Sequence, residues 1–347
     1  MSARSDEVRG VKALFNGSKV IDVHGHISAP AAFRSYLMNM LSQNTAYARE
    51  SRRGLRVSDE DLGQSQTRHL KGLDERQIDL QIIGPRPIGM FHWMRPFLQV
   101  PWCQTTNDIT ARIVKLHPER FAGAAQLPQN SQIDTRNCIE ELERCVKELG
   151  MVTAYLNPDP AGDNQTPGVH EEYWYPLYEK AQELDIPLTI HATVSKDTRL
   201  EPLTANYQVN HYVQHFIARL LYSNTNVFDI FPRLRVVICH CGGAPDRFSK
   251  KDPRQMPQRD LSQNLWVDSC SYDEEFLRVT ILQRGVDQML FGTEHPGSGD
   301  EAVHPVTGRP SDDLVPVIDS FDFLTNEDKL KIFNRNAIKV FPGLVVA

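Results

Sequence analysis

Two histidines, two residues apart, close the apolar run Lys19-Val20-Ile21-Asp22-Val23-His24-Gly25-His26. On a β-strand, side chains i and i+2 leave the same face, so both imidazoles converge on one point. Two neutral imidazoles at a strand end suit a divalent cation such as zinc. Gly25 between them would let the backbone approach a ligand closely. A solvated His-Gly-His turn is the competing reading, and it predicts no matching ligands elsewhere in the chain.

The elements that must position such ligands are legible as short β-branched runs alternating with longer helical patterns. Strands are expected at Val20–Val23, Leu80–Ile83, Phe121–Leu127, Val152–Leu156, Leu188–His191, Val236–His240, Leu265–Asp268 and Met289–Gly292. Helices are expected at Gln66–Arg76, Gln104–Leu116, Thr135–Leu149, Glu172–Leu184, Val209–Tyr222 and Glu274–Gln283, with a closing helix at Asn326–Phe341. In the third of these, Cys138, Leu142, Cys145, Val146 and Leu149 recur at three- and four-residue steps, and Gly150 ends the pattern. Eight strands alternating with helices predict a closed parallel (β/α)8 TIM barrel, an α/β fold occupying residues 1–347 as one domain. Residues 29–64 exceed what such a barrel needs. Their apolar Phe33, Tyr36, Leu37, Met38 and Leu41, followed by the polar Ser42–Arg56, predict a helical insertion over the barrel mouth.

Catalytic groups in these barrels sit at the carboxyl ends of the strands, which tests the metal reading. Strand one ends in His24 and His26, strand two in Gly84-Pro85-Arg86, and strand four in Asn157-Pro158-Asp159. Strand five ends in His191, strand six in His240-Cys241-Gly242-Gly243, strand seven in Asp268-Ser269-Cys270, and strand eight in Thr293-Glu294-His295. Three imidazoles, His24, His26 and His191, with the carboxylate of Glu294 suit a catalytic Zn²⁺ with a position left for water. His295 competes as a ligand, but strand alternation turns it away from Glu294. His240 is placed to transfer protons near the metal, with a supporting structural role as its alternative. Arg86, between Pro85 and Pro87, is a candidate clamp for a substrate carboxylate or else an exposed loop arginine. Asn157 and Asp159 either bind substrate or cap the following helix. His92, His117, His211, His215 and His304 lack a strand-end context and are read as surface or helix-face residues. Trp93 and Trp102 are expected to line or cover the mouth.

Composition narrows the partners. The chain of 347 residues is 40% hydrophobic and 24% charged, with net charge −6, which is ordinary for a globular enzyme. No long basic cluster occurs, Arg52-Arg53 and Lys250-Lys251 being isolated, so nucleic acid is an unsuitable partner. No apolar run reaches the ~18 residues of a membrane span, and Met1–Lys12 lacks a signal-peptide core. The six cysteines show no CxxC spacing and are expected as free thiols in a cytoplasmic protein. No dinucleotide fingerprint or phosphate-binding loop is present.

The motifs resemble those of the amidohydrolase superfamily, in the branch of the aminocarboxymuconate semialdehyde decarboxylases and related aromatic-acid decarboxylases. The likeness is carried by Asp22-Val23-His24-Gly25-His26, Pro85-Arg86, Val100-Pro101-Trp102, Arg120-Phe121-Ala122-Gly123, Leu127-Pro128-Gln129 and Glu141-Leu142-Glu143-Arg144-Cys145. It continues through Leu156-Asn157-Pro158-Asp159-Pro160, Trp174-Tyr175-Pro176, His240 with Gly242-Gly243, and Phe291-Gly292-Thr293-Glu294. Within the branch it is strongest to the 4-oxalomesaconate hydratases, which carry glutamate where the decarboxylases usually carry aspartate. The resemblance implies one Zn²⁺ (Mn²⁺ being the alternative) on His24, His26, His191 and Glu294, with proton transfer by Glu294 or His240. It also implies a carboxylate substrate bound by Arg86 and a homo-oligomer, dimer or tetramer. The implied reaction is hydration of a C=C bond in an unsaturated keto or enol polycarboxylate of aromatic catabolism. Nonoxidative decarboxylation of a hydroxylated aromatic acid is the alternative and metal-dependent hydrolysis a further one, with a non-enzymatic binder last. The loop after His240 departs from the hydratase pattern at Cys241 and Asp246, as does the mouth segment Gly89–Trp93, which leaves a sister substrate open.

Overall fold

Eight parallel strands follow one another around the sheet in the order β1 to β8. They are β1 (Ile21–His26), β2 (Leu80–Gly84), β3 (Phe121–Gln126), β4 (Thr153–Leu156), β5 (Leu188–Ile190), β6 (Val236–Ile238), β7 (Leu265–Asp268) and β8 (Met289–Leu290). The chain beyond β8 closes the ring against β1. The Val23 N–H donates to the Phe291 carbonyl at 2.9 Å, the Glu294 N–H to His24 at 2.7 Å, and the His26 N–H to His295 at 3.2 Å. The (β/α)8 barrel expected from the alternating pattern is therefore the fold. This computed structural model describes residues 15, 17–42, 55–203, 206–246 and 260–345. Met1–Lys12, Arg52-Arg53, Lys250-Lys251 and residues 43–54 of the expected insertion lie outside the described residues.

The helices α1 (Ala31–Ser42), α2 (Asp59–Glu75), α3 (Pro96–Leu116), α4 (Arg136–Lys147), α5 (Tyr175–Glu183), α6 (Asn206–Asn224) and α7 (Glu274–Arg284) lie between the strands. Local chemistry sets their ends. The Ser58 hydroxyl accepts from the Asp61 N–H, and Asp59, Glu60 and Asp61 fill the first turn of α2, where the helix dipole favours negative charge. The periodic face of α4 is buried through Cys138, Leu142 and Cys145, and Gly150 at φ 68° ends the segment in the left-handed region. The closing helix runs as helical residues 326–340, with a π-helical turn over Lys331–Arg335.

One apolar cluster lies inside the strands, through Ile21, Val23, Leu80, Ile82, Val237, Trp266 and Leu290, joined by Val340 and Phe341. A larger one packs the strands' outer faces against the helices, including Leu73, Ile83, Leu142, Leu177 and Ile281. Each such fully buried side chain stabilises the fold by about 1.5–3 kcal/mol. All six cysteines are buried free thiols, and no helix among the described residues is long and apolar enough to cross a membrane.

Two boundaries differ from expectation for a reason that bears on the site. The insertion is shorter than 29–64, because Asp59–Gln64 already form the first turns of α2. What stands over the mouth is α1, whose Leu37 and Met40 pack with Met94 and Trp102. Ladders of β5, β6 and β8 end before His191, His240 and Gly292. The chain leaves the sheet there so that the following side chains turn inward. His240, Cys241 and Glu294 adopt φ values of 51°, 60° and 65°, a left-handed conformation costing about 1–3 kcal/mol that clusters at functional sites.

Candidate active site

His24, His26, His191 and Glu294 come together at the carboxyl end of the barrel, each buried, with one ligand atom apiece within 4.8 Å of all the others. The His24 and His26 rings are 5.4 Å apart at 90°, and His191 lies 4.9 Å from His24 and 5.6 Å from His26. The strand-end convergence expected from the i, i+2 spacing is thus present in the geometry. Gly25 serves differently from the expectation. A Cβ there would sit 2.2 Å from Cδ of Gln81, so its missing side chain makes room for that buried amide. Gln81 in turn donates to Asp22 at 2.8 Å and to the His295 carbonyl at 2.8 Å, bracing β1 against the chain after β8.

Two of the three rings are aimed by a second bond. His24 Nδ1 is 2.7 Å from Oδ2 of Asp268, and His191 Nδ1 is 2.7 Å from the Ala192 carbonyl. Such bonds fix the tautomer and leave Nε2 as the free lone pair. Nε2 of His24, Nε2 of His191 and both ring nitrogens of His26 are buried without a hydrogen-bond partner. An orphaned buried polar atom costs about 1–3 kcal/mol. One such nitrogen from each of the three rings, converging beside a carboxylate, forms a donor set that fits a divalent cation. Burial opposes protonation of His24, but the bond and charge of Asp268 outweigh it and raise its pKa; burial lowers His26 to about 4.

Oε2 of Glu294 accepts from the Tyr272 hydroxyl at 2.9 Å and from the Ser298 hydroxyl at 3.0 Å. Its other oxygen is thereby turned to the histidines, 3.8 Å from His26 Nε2 and 3.7 Å from His240 Nε2. Burial favours the neutral acid, yet His240, His26 and His24 around it hold Glu294 well below the ordinary carboxylate range. His240 is buried, with its Nε2 unpartnered and its ring bonded to the Cys270 backbone. Arg86 caps the short helix that follows β2 and is exposed at the mouth. It lines a cavity of about 470 Å³ together with His26, His211 and Ser298. It also lines an adjoining one of about 630 Å³ under α1, with Phe33, Phe91 and Trp102.

A family model described as amidohydrolase matches residues 21–343. The chain belongs to this amidohydrolase family. It is 35% identical over 300 residues to the 2-keto-4-carboxy-3-hexenedioate hydratase of Sphingobium sp. (strain NBRC 103272 / SYK-6), covering 83% of this chain and 86% of that protein. Its structure matches that of 4-oxalomesaconate hydratase from Rhodopseudomonas palustris with a TM-score of 0.80 and 30% identity, over 93% of this chain and 96% of the other. A dihydroxybenzoic acid decarboxylase from Polaromonas sp. JS666, solved with bound manganese, shares the fold at TM-score 0.65 and 21% identity, over 93% and 97% of the two chains.

Other strand-end residues of the amidohydrolase are held by hydrogen bonds or ion pairs within the protein. Asn157 is fully buried: its amide donates to the His191 carbonyl, and its Oδ1 lies 2.8 Å from His92 Nε2 and 2.7 Å from Gln129 Nε2. It braces the chain carrying His191. Asp159 accepts from the Asn164 N–H at 3.0 Å. Asp246, in the segment that departs from the hydratase pattern, pairs with Arg219 and Arg284 and ties α6 to α7. His295 lines the mouth cavity, but its Nδ1 is 2.9 Å from Asp312 and it is outside the His24, His26, His191 and Glu294 cluster.

Three residues of the amidohydrolase site were not foreseen. Asp268, named only as a strand end, orients His24. His211 and His215, expected on a helix surface, are buried and stack on His240 at 5.4 Å and 5.2 Å. Their i, i+4 spacing was the available signal, since it puts both on one helix face. We expect Asp268→Asn to weaken metal binding by about 10–100-fold while the protein still folds. Competition with a metal chelator measures this, and unchanged affinity would remove the orienting role.

Proposed function

We propose that this amidohydrolase is a metal-dependent lyase, a hydratase adding water to the C=C bond of an unsaturated keto or enol polycarboxylate. The observation that carries the reading is Glu294. A charged carboxylate at the end of β8, turned by Tyr272 and Ser298 toward His26 and His240, supplies both a ligand and a proton carrier. The 35% identity to a hydratase across most of both chains supports it. We assign the metal to His24, His26, His191 and Glu294, with Zn²⁺ as the native ion and Mn²⁺ as its substitute. When bound, the cation supplies Lewis acidity, acidifying water and polarising a substrate oxygen.

The chain's own residues do the rest. Arg86, with no carboxylate partner among the described residues and placed at the mouth, receives a substrate carboxylate in bidentate fashion. The 3.7 Å gap between Glu294 Oε1 and His240 Nε2 brackets the place where a proton leaves water and returns to the substrate carbon. His240 keeps a free Nε2 lone pair for it, burial holding the ring neutral. Asn157 positions the His191 segment. The aromatic lining beneath α1 excludes water on one side. The protein is read as a cytoplasmic homo-oligomer.

The test is incubation of zinc-loaded protein with 2-keto-4-carboxy-3-hexenedioate in ¹⁸O-labelled water. We expect the label at an sp³ carbon and no CO₂. Release of CO₂ from a hydroxybenzoate instead would make the protein a decarboxylase, and label in a new carboxylate would make it a hydrolase.

A further inference from the structure

Helix α6 crosses the mouth and is tied down at two points in the turn just before His211. Gln208 Nε2 donates to the Ser298 hydroxyl at 2.6 Å, and Asn210 Nδ2 donates to the Thr193 carbonyl at 3.0 Å. Ser298 is the residue whose hydroxyl holds Glu294, and Thr193 lies two residues past His191. The turn carrying His211 is therefore anchored to two of the three chain segments that bear the candidate metal ligands. Next to those anchors the His211 ring is 3% exposed, inclined 25° to His240 and edge-on to His191 at 5.2 Å. It lines the same cavity as Arg86 and His26.

One ring nitrogen each of His211 and His240 and one oxygen of Glu294 lie within 4.8 Å of one another. Two hydrogen bonds of about 2.8 Å through a shared atom span up to about 5.6 Å, so a single oxygen fits between these groups. The Glu294 side of the space is negative, while the His211 imidazole can present an N–H donor. Arg86 stands at the open end of the cavity. An occupant with one carboxylate at Arg86 and a second oxygen deeper in would meet donors at both ends.

We propose that His211 is a substrate-contacting residue, donating a hydrogen bond to a second oxygen of a polycarboxylate substrate. This rests on the carboxylate-lyase reading above and adds that recognition needs two separated acidic or oxyanionic groups. A monocarboxylate would engage Arg86 alone and bind more weakly. His215 is excluded from the contact, because its Nε2 accepts from the Ala192 N–H at 2.8 Å, which makes it a positioning residue for the His191 segment.

The experiment compares metal-loaded wild type with His211→Ala, His211→Gln and His211→Phe, the last keeping ring volume without a donor. Propane-1,2,3-tricarboxylate, which has no C=C bond to hydrate, is titrated calorimetrically, metal content is measured, and turnover of 2-keto-4-carboxy-3-hexenedioate is followed. We expect metal content to be unchanged and tricarboxylate affinity to fall about 10–100-fold in the Ala and Phe variants. We expect partial recovery with Gln and a matching rise in KM that exceeds any fall in kcat. Affinity within twofold of wild type in a folded Ala or Phe variant overturns the proposal. Loss of the metal from those variants overturns it too, by making His211 a ligand, as does failure of wild type to bind the tricarboxylate. A wild type that binds the tricarboxylate with the expected His211 dependence but does not hydrate the hexenedioate retains this inference and loses the hydratase reading.

Discussion

Replacing His24 by alanine removes both the metal and the activity, with kcat/KM falling by at least about a thousandfold. His24 Nδ1 is committed to Asp268, so its buried Nε2 has no other use in the protein. The same holds for His191 Nε2, whose partner nitrogen is bonded to Ala192. With one imidazole gone, three donors remain and the negative charge of Asp268 loses its buried partner; breaking such a pair costs about 3–5 kcal/mol. Metal analysis after dialysis and steady-state kinetics together give the result. A thermal signature separates loss of metal from loss of fold. Metal that binds only the folded state raises its stability in proportion to occupancy. The melting temperature of wild type should therefore drop on chelation, while that of the folded His24→Ala variant should not move. Full activity of wild type after complete removal of metal would sink the mechanism.

The barrel and the convergence of His24, His26, His191 and Glu294 were readable because both depend on periodicities that local sequence carries. Strand alternation put His24 and His26 on one side, and the βα rhythm put His191 and Glu294 at the same end as that pair. What could not be read depends on contacts across long separations. Asp268 reaches His24 from 244 residues away, and no spacing rule connects β7 to β1 at the level of one hydrogen bond. Tyr272 meets Glu294 from 22 residues away, and Ser298, only four residues on, meets it because the chain after β8 turns back on itself. Gly25 was assigned to ligand access because a glycine between two histidines invites that reading; the bulk it avoids belongs to Gln81, on the neighbouring strand. His211 and His215 were set aside for want of a strand end. A helix that crosses the mouth supplies inward-facing groups by the i, i+4 rule, which deserves equal weight with strand ends in a barrel of this kind. Asn157 sits at the strand end where the pattern put it, but its hydrogen bonds go to Gln129, His92 and the His191 carbonyl. Position at a strand end does not decide which way a side chain's polar atoms are spent.

Glu294→Gln should uncouple the two roles of that side chain. Glutamine has nearly the same volume, and its carbonyl oxygen can accept from Tyr272 and Ser298 as Oε2 does now. The amide nitrogen then faces His26 and His240, where it neither accepts a proton at neutral pH nor donates a lone pair to a cation. Three imidazoles still converge, so metal remains measurable, with weakened affinity. Turnover, which needs a group that exchanges protons across the 3.7 Å gap to His240, falls by about 10²–10⁴-fold. Glu294→Asp is the complementary variant. It keeps the charge and tolerates the left-handed backbone at φ 65°, but withdraws the carboxylate by one methylene from both His240 and the hydroxyls that orient it. A displacement of about 1 Å can cost on the order of a hundredfold in rate. Kinetics and metal titration on the same preparations distinguish the cases. Loss of activity with metal retained in Glu294→Gln makes the carboxylate a proton carrier as well as a ligand. Parallel loss of both, recovered by saturating metal, would reduce Glu294 to a ligand and leave proton transfer to His240 alone.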